Sequence, residues 1–478
     1  MEIKMLIDGK LVGSKSGNTI EAINPATEEM LGTAPLGEEA DVNKAVESAS
    51  KAFKEWSQQS IEKRGHVLRG IARAIRERSD EIAKIEAADS GNPLARVRHD
   101  IEKSAQVLEY YAGLGYEMTG RTVPATLEHL HMTVREPYGV CARIVPFNHP
   151  FLFIAARIAA PLMAGNTVVV KPSDQAPLSS GIFSEILSET VPQGVVNIVT
   201  GDGKTGDLLV RHPKVPRIAF TGSVATGLRI QKSAAESGRI KHISLELGGK
   251  NPMILFPDAD LEKAVAGVIK GMGFSWQGQS CGSTSRFFVH DSIYDRTVEA
   301  VVAKLSKFKV GDPLAADTNM GPIISKAQYE KVVSYVESAQ QEGATLAFGG
   351  KRPEGMDRGY WILPTVFSDV RPTMRIAREE IFGPVLSILK FTDEEEAVQL
   401  ANDCDYGLTG SIWTTDVNRA IRLSKKIESG YIWVNETATH FDQLPFGGYK
   451  QSGLGREEGI EELLSYTQVK TIHLVQQL

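Results

Sequence analysis

The chain has 478 residues, 42% apolar and 23% charged, with a formal net charge of −6 at neutral pH. That length exceeds what one hydrophobic core organises and calls for two or three domains. With no basic block, neither nucleic acid nor an anionic membrane is an expected partner. The three cysteines, Cys141, Cys281 and Cys404, lie far apart and form no disulfide framework, which points to a reducing, cytoplasmic setting.

In chain order, the N-terminal MEIKMLIDGK mixes charges into its apolar residues, so no signal peptide is expected. Helical spacing predicts long amphipathic helices over 41–56 and 61–88. Residues 121–138 alternate weakly and contain Pro124 and Pro137, which predicts extended strands or an arm leaving the domain body. The stretch 151–170 imitates a membrane span, but Arg157, Pro161, Gly165 and Asn166 interrupt it. A buried helix, a turn at 164–166 and a buried strand fit it better. Apolar runs at 140–145, 167–170, 195–200, 217–220 and 252–255 alternate with helical patterns, the signature of a parallel sheet with helices on its faces. The alternation continues beyond Gly248-Gly249 as a second α/β unit, with strands at 286–289 and 385–390. Residues 466–478 read as a strand able to join another sheet or another subunit.

Two glycine loops compete as a phosphate cradle. The first, Gly201-Asp-Gly-Lys-Thr-Gly206, matches G-x-G-x-x-G and includes Gly203, but Asp202 would meet a pyrophosphate with like charge; a plain βα turn is the alternative. The second runs FTGSVATG over 220–227 and opens a helical run. Its backbone N–H groups and the Ser223 hydroxyl at a helix N-terminus suit an anion, and a simple capped turn is again the alternative.

Cys281 sits in Gly-Gln-Ser-Cys-Gly-Ser-Thr, where small polar neighbours leave the sulfur reachable, unlike a structural cysteine packed among Val, Leu and Ile. A thiolate nucleophile needs a base and an oxyanion site. Glu246 ends an apolar strand before two glycines, where loss of solvent would raise its pKa into the range of a general base. Asn148, in Pro-Phe-Asn-His-Pro, carries an amide able to donate to an oxyanion. The blander alternatives are a strand-edge carboxylate and ordinary turn chemistry. Ten histidines are scattered without ligand spacing, so no metal site is expected; His129 and His131 would merely share a strand face.

Taken together, PFNHP (146–150), KPSD (171–174), FTGSVATG (220–227), LELGGKNP (245–252), GQSCGS (278–283), EEIFGPV (379–385) and PFGGYKQSGLGREEG (445–459) resemble the aldehyde dehydrogenase superfamily over nearly the whole chain. The resemblance implies a Rossmann-like cofactor domain (1–117 and 139–248), a second α/β catalytic domain (249–448), and a small β oligomerisation arm with a C-terminal strand (118–138 and 449–478). It implies a homodimer or homotetramer acting on a small-molecule aldehyde. Cys281 would attack the aldehyde, Glu246 would activate the hydrolytic water, and Asn148 with the Cys281 N–H would hold the oxyanion. A family branch that passes the acyl group to coenzyme A lacks this Glu, so its presence argues for hydrolysis.

By the same resemblance the coenzyme is held by Phe147, Lys171, Ser173, Asp174, Gly203, Gly222, Ser223, Gly227, Glu380 and Phe382. Asp174 replaces the usual glutamate of that motif; its shorter carboxylate still repels a 2′-phosphate, which favours NAD over NADP by a modest margin. The substrate tunnel is expected at His149, Phe153, Ala156, Arg157, His440 and Phe446. His149 and His440 stand where aromatics are usual, and Ala156 where Trp is common, which implies a wide, polar tunnel for a bulky aromatic or polar aldehyde or a semialdehyde. Arg157 is either a substrate-carboxylate anchor or part of an internal salt bridge. The competing readings are a coenzyme-independent cysteine hydrolase or thioesterase, a long-chain aliphatic aldehyde dehydrogenase, and a non-catalytic protein on the same fold.

Overall fold

The computed structural model describes residues 1–476. The apolar runs become the strands of two separate sheets. In the first, Val196–Ile198, Thr167–Lys171, Val140–Ile144, Arg217–Thr221 and His242–Glu246 lie side by side in that order, all parallel. Numbered by position in the chain, that order is 3-2-1-4-5. It reverses direction between Val140–Ile144 and Arg217–Thr221, and open sheets of this kind bind ligands at such a reversal, beyond the carboxyl ends of the strands. Nearly every residue of these strands is buried, as expected where helices cover both faces. An antiparallel N-terminal hairpin, Met5–Ile7 with Lys10–Val12, extends the edge at Val196–Ile198.

The second sheet orders Thr345–Phe348, Thr365–Ser368, Val385–Phe391, Arg286–His290, Pro252–Leu255, Thr409–Trp413 and Tyr431–Val434. Only its Thr345–Phe348 edge is antiparallel. A third, three-stranded sheet sets His129–Pro137 between Thr122–Val123 and Thr467–Val475. The arm expected at 121–138 is therefore a strand pair within one chain.

Three expectations need correction. The helix expected over 61–88 is two, Ile61–Glu77 and Ser79–Ser90, because Arg78 leaves helical geometry at φ −108°, ψ 15°. Of the C-terminal segment 449–478, only Thr467–Val475 joins the arm sheet. Gly453–Leu454 instead pairs antiparallel with His242–Glu246, and Gly459–Ser465 is a helix that packs against the one at Ala159–Met163. The end of the strand expected over 466–478 lies outside the described residues. The stretch 151–170 forms two short helices, Pro150–Ala156 and Ala159–Met163, then the strand Thr167–Lys171. Among the described residues no helix is long and apolar enough to cross a membrane.

Candidate active site

The carboxyl edge of the first sheet gathers most of the expected residues. Strand Val140–Ile144 runs out into Phe147 and Asn148, Thr167–Lys171 ends on Lys171, Arg217–Thr221 ends before Gly222 and Ser223, and His242–Glu246 ends on Glu246. Each strand delivers its last residues to one rim because parallel strands in register end together.

Cys281 reaches this rim from the second unit. Its loop precedes strand Arg286–His290 and is tied down by Asn251, whose Nδ2 donates to the Cys281 carbonyl (2.7 Å) and the Ser283 carbonyl (2.8 Å), while its Oδ1 accepts from Thr409 N–H (3.0 Å). The half-buried thiol packs against Leu408, Tyr431, Trp433 and Phe446. Burial, with the Glu380 and Glu246 carboxylates nearby, pushes it up to about 12. At neutral pH the resting group is a thiol, so a base must take its proton.

Glu246 is placed for that. It is buried, and neither carboxylate oxygen has a hydrogen-bond partner. Burial first, then the Glu457 carboxylate, raises its pKa well above the ordinary carboxylate value, against the pull of Arg157 and Arg456. Gly447 makes room for it: a Cβ there would stand 2.8 Å from Glu246 Oε1. The solvent-facing strand-edge alternative is not what the fold contains. Asn148 is also buried, its side-chain Oδ1 is unpartnered, and its backbone carbonyl accepts from Asn92 Nδ2 at 3.0 Å.

The expected coenzyme residues divide. Ser223 caps the 13-residue helix Val224–Glu236, its Oγ accepting from Thr226 N–H at 3.3 Å, with positive helix-end charge behind it. Gly222 N–H donates to the Glu246 carbonyl at 3.0 Å, and Gly227 lies so close to Leu247 that a Cβ would approach to 2.9 Å. Lys171 is buried, makes no ion pair among the described residues, and is lowered by that burial. Ser173 Oγ accepts from Gln175 N–H at 3.2 Å, with Asp174 between them. Glu380 Oε1 accepts from Gly249 N–H at 3.0 Å. Phe382, at φ 57°, meets Phe147 edge-on at 5.7 Å. A buried ammonium without an ion pair among the described residues, and a helix N-terminus capped only by a neutral hydroxyl, are the donor types that a ribose and a pyrophosphate require.

Gly203 is the exception. It opens helix Gly203–Arg211, whose N-terminus is already filled by the Asp202 carboxylate, accepting from Lys204 N–H (2.8 Å) and Thr205 N–H (3.3 Å). A second anion there would meet like charge, so the literal G-x-G-x-x-G is a capped turn.

Of the two readings of Arg157, the fold contains the internal salt bridge. Arg157 is not free to anchor a substrate carboxylate: its guanidinium faces Glu457 (3.1 Å), Glu462 (3.4 Å) and Glu458 (3.6 Å). Both imidazoles are tied, His149 Nδ1 to Asp100 Oδ2 at 2.6 Å and His440 Nδ1 to Glu458 Oε1 at 3.2 Å. Phe153 lies 5.9 Å from the His149 ring, Phe446 lies 4.7 Å from the His440 ring, and Ala156 is buried one helical turn beyond Phe153. Sequence reasoning missed Asn92, Asp100, Asn251 and Glu457. Asn251 and Glu457 lie inside motifs already singled out, whereas nothing local marks Asn92, in the loop after helix Ser79–Ser90, or Asp100, on helix Leu94–Leu114. Among the described residues no group of three or more His, Cys, Asp or Glu is poised to hold a metal.

A family model, that of the aldehyde dehydrogenase family, matches residues 11–472. The chain is 44% identical over 479 residues to aldehyde dehydrogenase tropH of Talaromyces stipitatus, covering 98% of this chain and 93% of that one. It superposes with a TM-score of 0.96 at 39% identity on the NAD+ complex of an aldehyde dehydrogenase from Bacillus cereus (99% and 97% of the two chains). The corresponding figures for an NAD-dependent aldehyde dehydrogenase from Sinorhizobium meliloti are 0.97 and 40%, with 100% and 95% covered.

Proposed function

The chain belongs to the aldehyde dehydrogenase family and is an NAD(P)-dependent enzyme of that kind, and on that premise we propose that it converts a bulky aromatic or polar aldehyde to the free acid through a covalent bond to Cys281. The observation that carries this reading is the pairing of a half-buried thiol with a buried carboxylate whose two oxygens are both unpartnered.

Glu246 accepts the thiol proton, and Cys281 Sγ bonds to the aldehyde carbon as the carbonyl electrons move onto oxygen. The Asn148 amide and the Cys281 backbone N–H hold that oxyanion. Lys171 and Asp174 would hold a ribose, the Gly222–Ser223 turn a pyrophosphate, and Glu380 with Phe382 the nicotinamide end. The coenzyme, when bound, supplies the hydride acceptor. Once Glu246 has released the thiol proton to solvent, the resulting thioester on Sγ is attacked by a water that gives its proton to Glu246; the C–S bond breaks, Sγ takes that proton from Glu246, and the acid leaves. Burial keeps the Glu246 pKa high enough for it to take that proton near neutrality and release it again.

Asp174 favours NAD over NADP, because a carboxylate repels a 2′-phosphate. The two coenzymes compared at saturating aldehyde test this, equal or better turnover with NADP refuting it. The reaction itself is tested by following the reduced coenzyme's absorbance across short aliphatic, long aliphatic, aromatic and carboxylate-bearing aldehydes. Aromatic or polar aldehydes leading in kcat/KM supports the substrate reading; long aliphatic aldehydes leading refutes it while leaving the chemistry intact.

A further inference from the structure

Two imidazole–carboxylate pairs are linked to Cys281 by side-chain contacts and short steps along the chain. From the thiol the path runs through Phe446 to the His440 ring (4.7 Å), and two residues on, Asp442 meets Lys103 at 2.5 Å. Lys103 belongs to helix Leu94–Leu114, which one turn earlier presents Asp100 to His149 Nδ1 at 2.6 Å. The His149 ring then packs on Trp276 at 5.2 Å, and Trp276 lies five residues before Cys281. His149 follows Asn148 in the chain, and its ring packs against the rings of both Phe153 and Trp276.

We propose that the Asp100–His149 pair selects aldehydes whose aromatic ring carries a hydroxyl group, with His149 Nε2 as the hydroxyl's hydrogen-bond partner and Asp100 as a positioning residue. This deepens, and rests on, the aldehyde-oxidising reading above. Asp100 is buried and its carboxylate lies 2.6 Å from His149 Nδ1, where it accepts Nδ1–H; an imidazole carrying its proton on Nδ1 presents the lone pair on Nε2. Nε2 has no partner among the described residues, and the ring keeps 16% of its exposure. A lone pair held in that direction accepts from a hydroxyl and repels a carboxylate.

The nearby cations favour the same class of substrate. Arg157 is engaged by three carboxylates, Lys103 by Asp442, and Arg96 lies over the Trp276 ring at 5.3 Å. The flanking Phe153 and Trp276 faces suit an aromatic ring.

The test is kcat/KM for the ring isomers of hydroxybenzaldehyde against their methoxy counterparts, in wild type, His149→Phe, His149→Gln and Asp100→Asn. A methoxy group accepts but does not donate, so wild type should prefer at least one hydroxy isomer by about tenfold or more, chiefly through KM. His149→Phe should bring that ratio towards one, His149→Gln should keep part of it through its amide oxygen, and Asp100→Asn should lower it while shifting KM more than kcat. If Asp100→Asn does not fold, the two His149 variants still decide. Equal handling of hydroxy and methoxy substrates by wild type, a ratio untouched in His149→Phe, or carboxylate-bearing aldehydes leading the panel would each overturn the proposal. All three leave aldehyde oxidation standing, whereas no coenzyme reduction with any aldehyde would remove both readings.

Discussion

At Cys281 the resting state and the reactive state are different species. With its thiol pushed up to about 12, a solution near neutrality holds almost no free thiolate, so reactivity depends on where the proton can go. Cys281→Ala should lower aldehyde oxidation by about a thousandfold or more while coenzyme still binds, since the covalent step vanishes and the coenzyme contacts do not. Coenzyme titration by quenching of tryptophan fluorescence, beside the absorbance assay, separates the two. Glu246 sets the pH dependence. Its folded pKa is raised, so below that value it is protonated and cannot act as a base; activity should climb as pH rises through it. Glu246→Gln should remove that limb and slow both the first turnover, which needs the thiol proton taken, and the hydrolysis, with steady-state rate down about a hundredfold or more. A steady-state rate that stays high, with the limb intact, would assign the base elsewhere.

At the scale of elements, the helix Pro150–Ala156 starts just after Asn148 and His149, so whatever fixes its first turn fixes both. Glu86 does so from helix Ser79–Ser90: Oε2 accepts from Phe151 N–H at 2.8 Å. Burial, with Asp100 and Asp89 nearby, raises Glu86 from 4.5 to about 8. The folded protein therefore keeps a proton that the unfolded chain releases between those values, and stability should fall as pH rises across that window, at on the order of 1 kcal/mol per pH unit. Glu86→Gln keeps the bond to Phe151 and should flatten that slope in thermal melts; a slope identical to wild type would mean the carboxyl is ionised in the fold. None of this was legible in the sequence, where Glu86 is one acidic residue in an amphipathic helix. What was legible followed from periodicity and local chemistry. The strands at 140, 167, 217 and 252 are largely apolar in sequence and buried along their whole length because both faces are covered, and Cys281 is flanked in the chain by small residues. Asp100 and Glu86 escaped because their partners lie 49 and 65 residues away, a distance no local pattern spans. Gly203 misled for the opposite reason: the pattern is local, and so is the Asp202 carboxylate that already fills the site.

At the scale of the molecule, the arm sheet has too few strands to bury a face of its own. Its register makes one face polar, with His131 opposite His473 and Arg135 opposite Val469, and the other apolar. On that second face Leu130 stands opposite Leu474, Met132 opposite Ile472, and Val134 opposite the stem of Lys470. Leu130 remains 37% exposed and Leu474 42%, in contact across the two strands. An apolar face of this kind on an extended sheet is stable in water when another surface covers it, which is the physical basis for expecting a homodimer or homotetramer. The weak alternation of 121–138 in the sequence is this two-faced sheet, blurred by the partial burial of both sides. Replacing Leu130 and Leu474 together by Asp places two like charges opposite one another on that face and desolvates both if a second copy covers it. Light scattering should then show the mass falling from a dimer or tetramer to that of one chain. Because the Cys281 site is assembled from the two larger sheets, coenzyme binding by the released chain should fall by no more than about threefold. An unchanged mass in the double variant would place the assembly surface elsewhere, and a wild-type protein that is monomeric at micromolar concentration would remove the need for one.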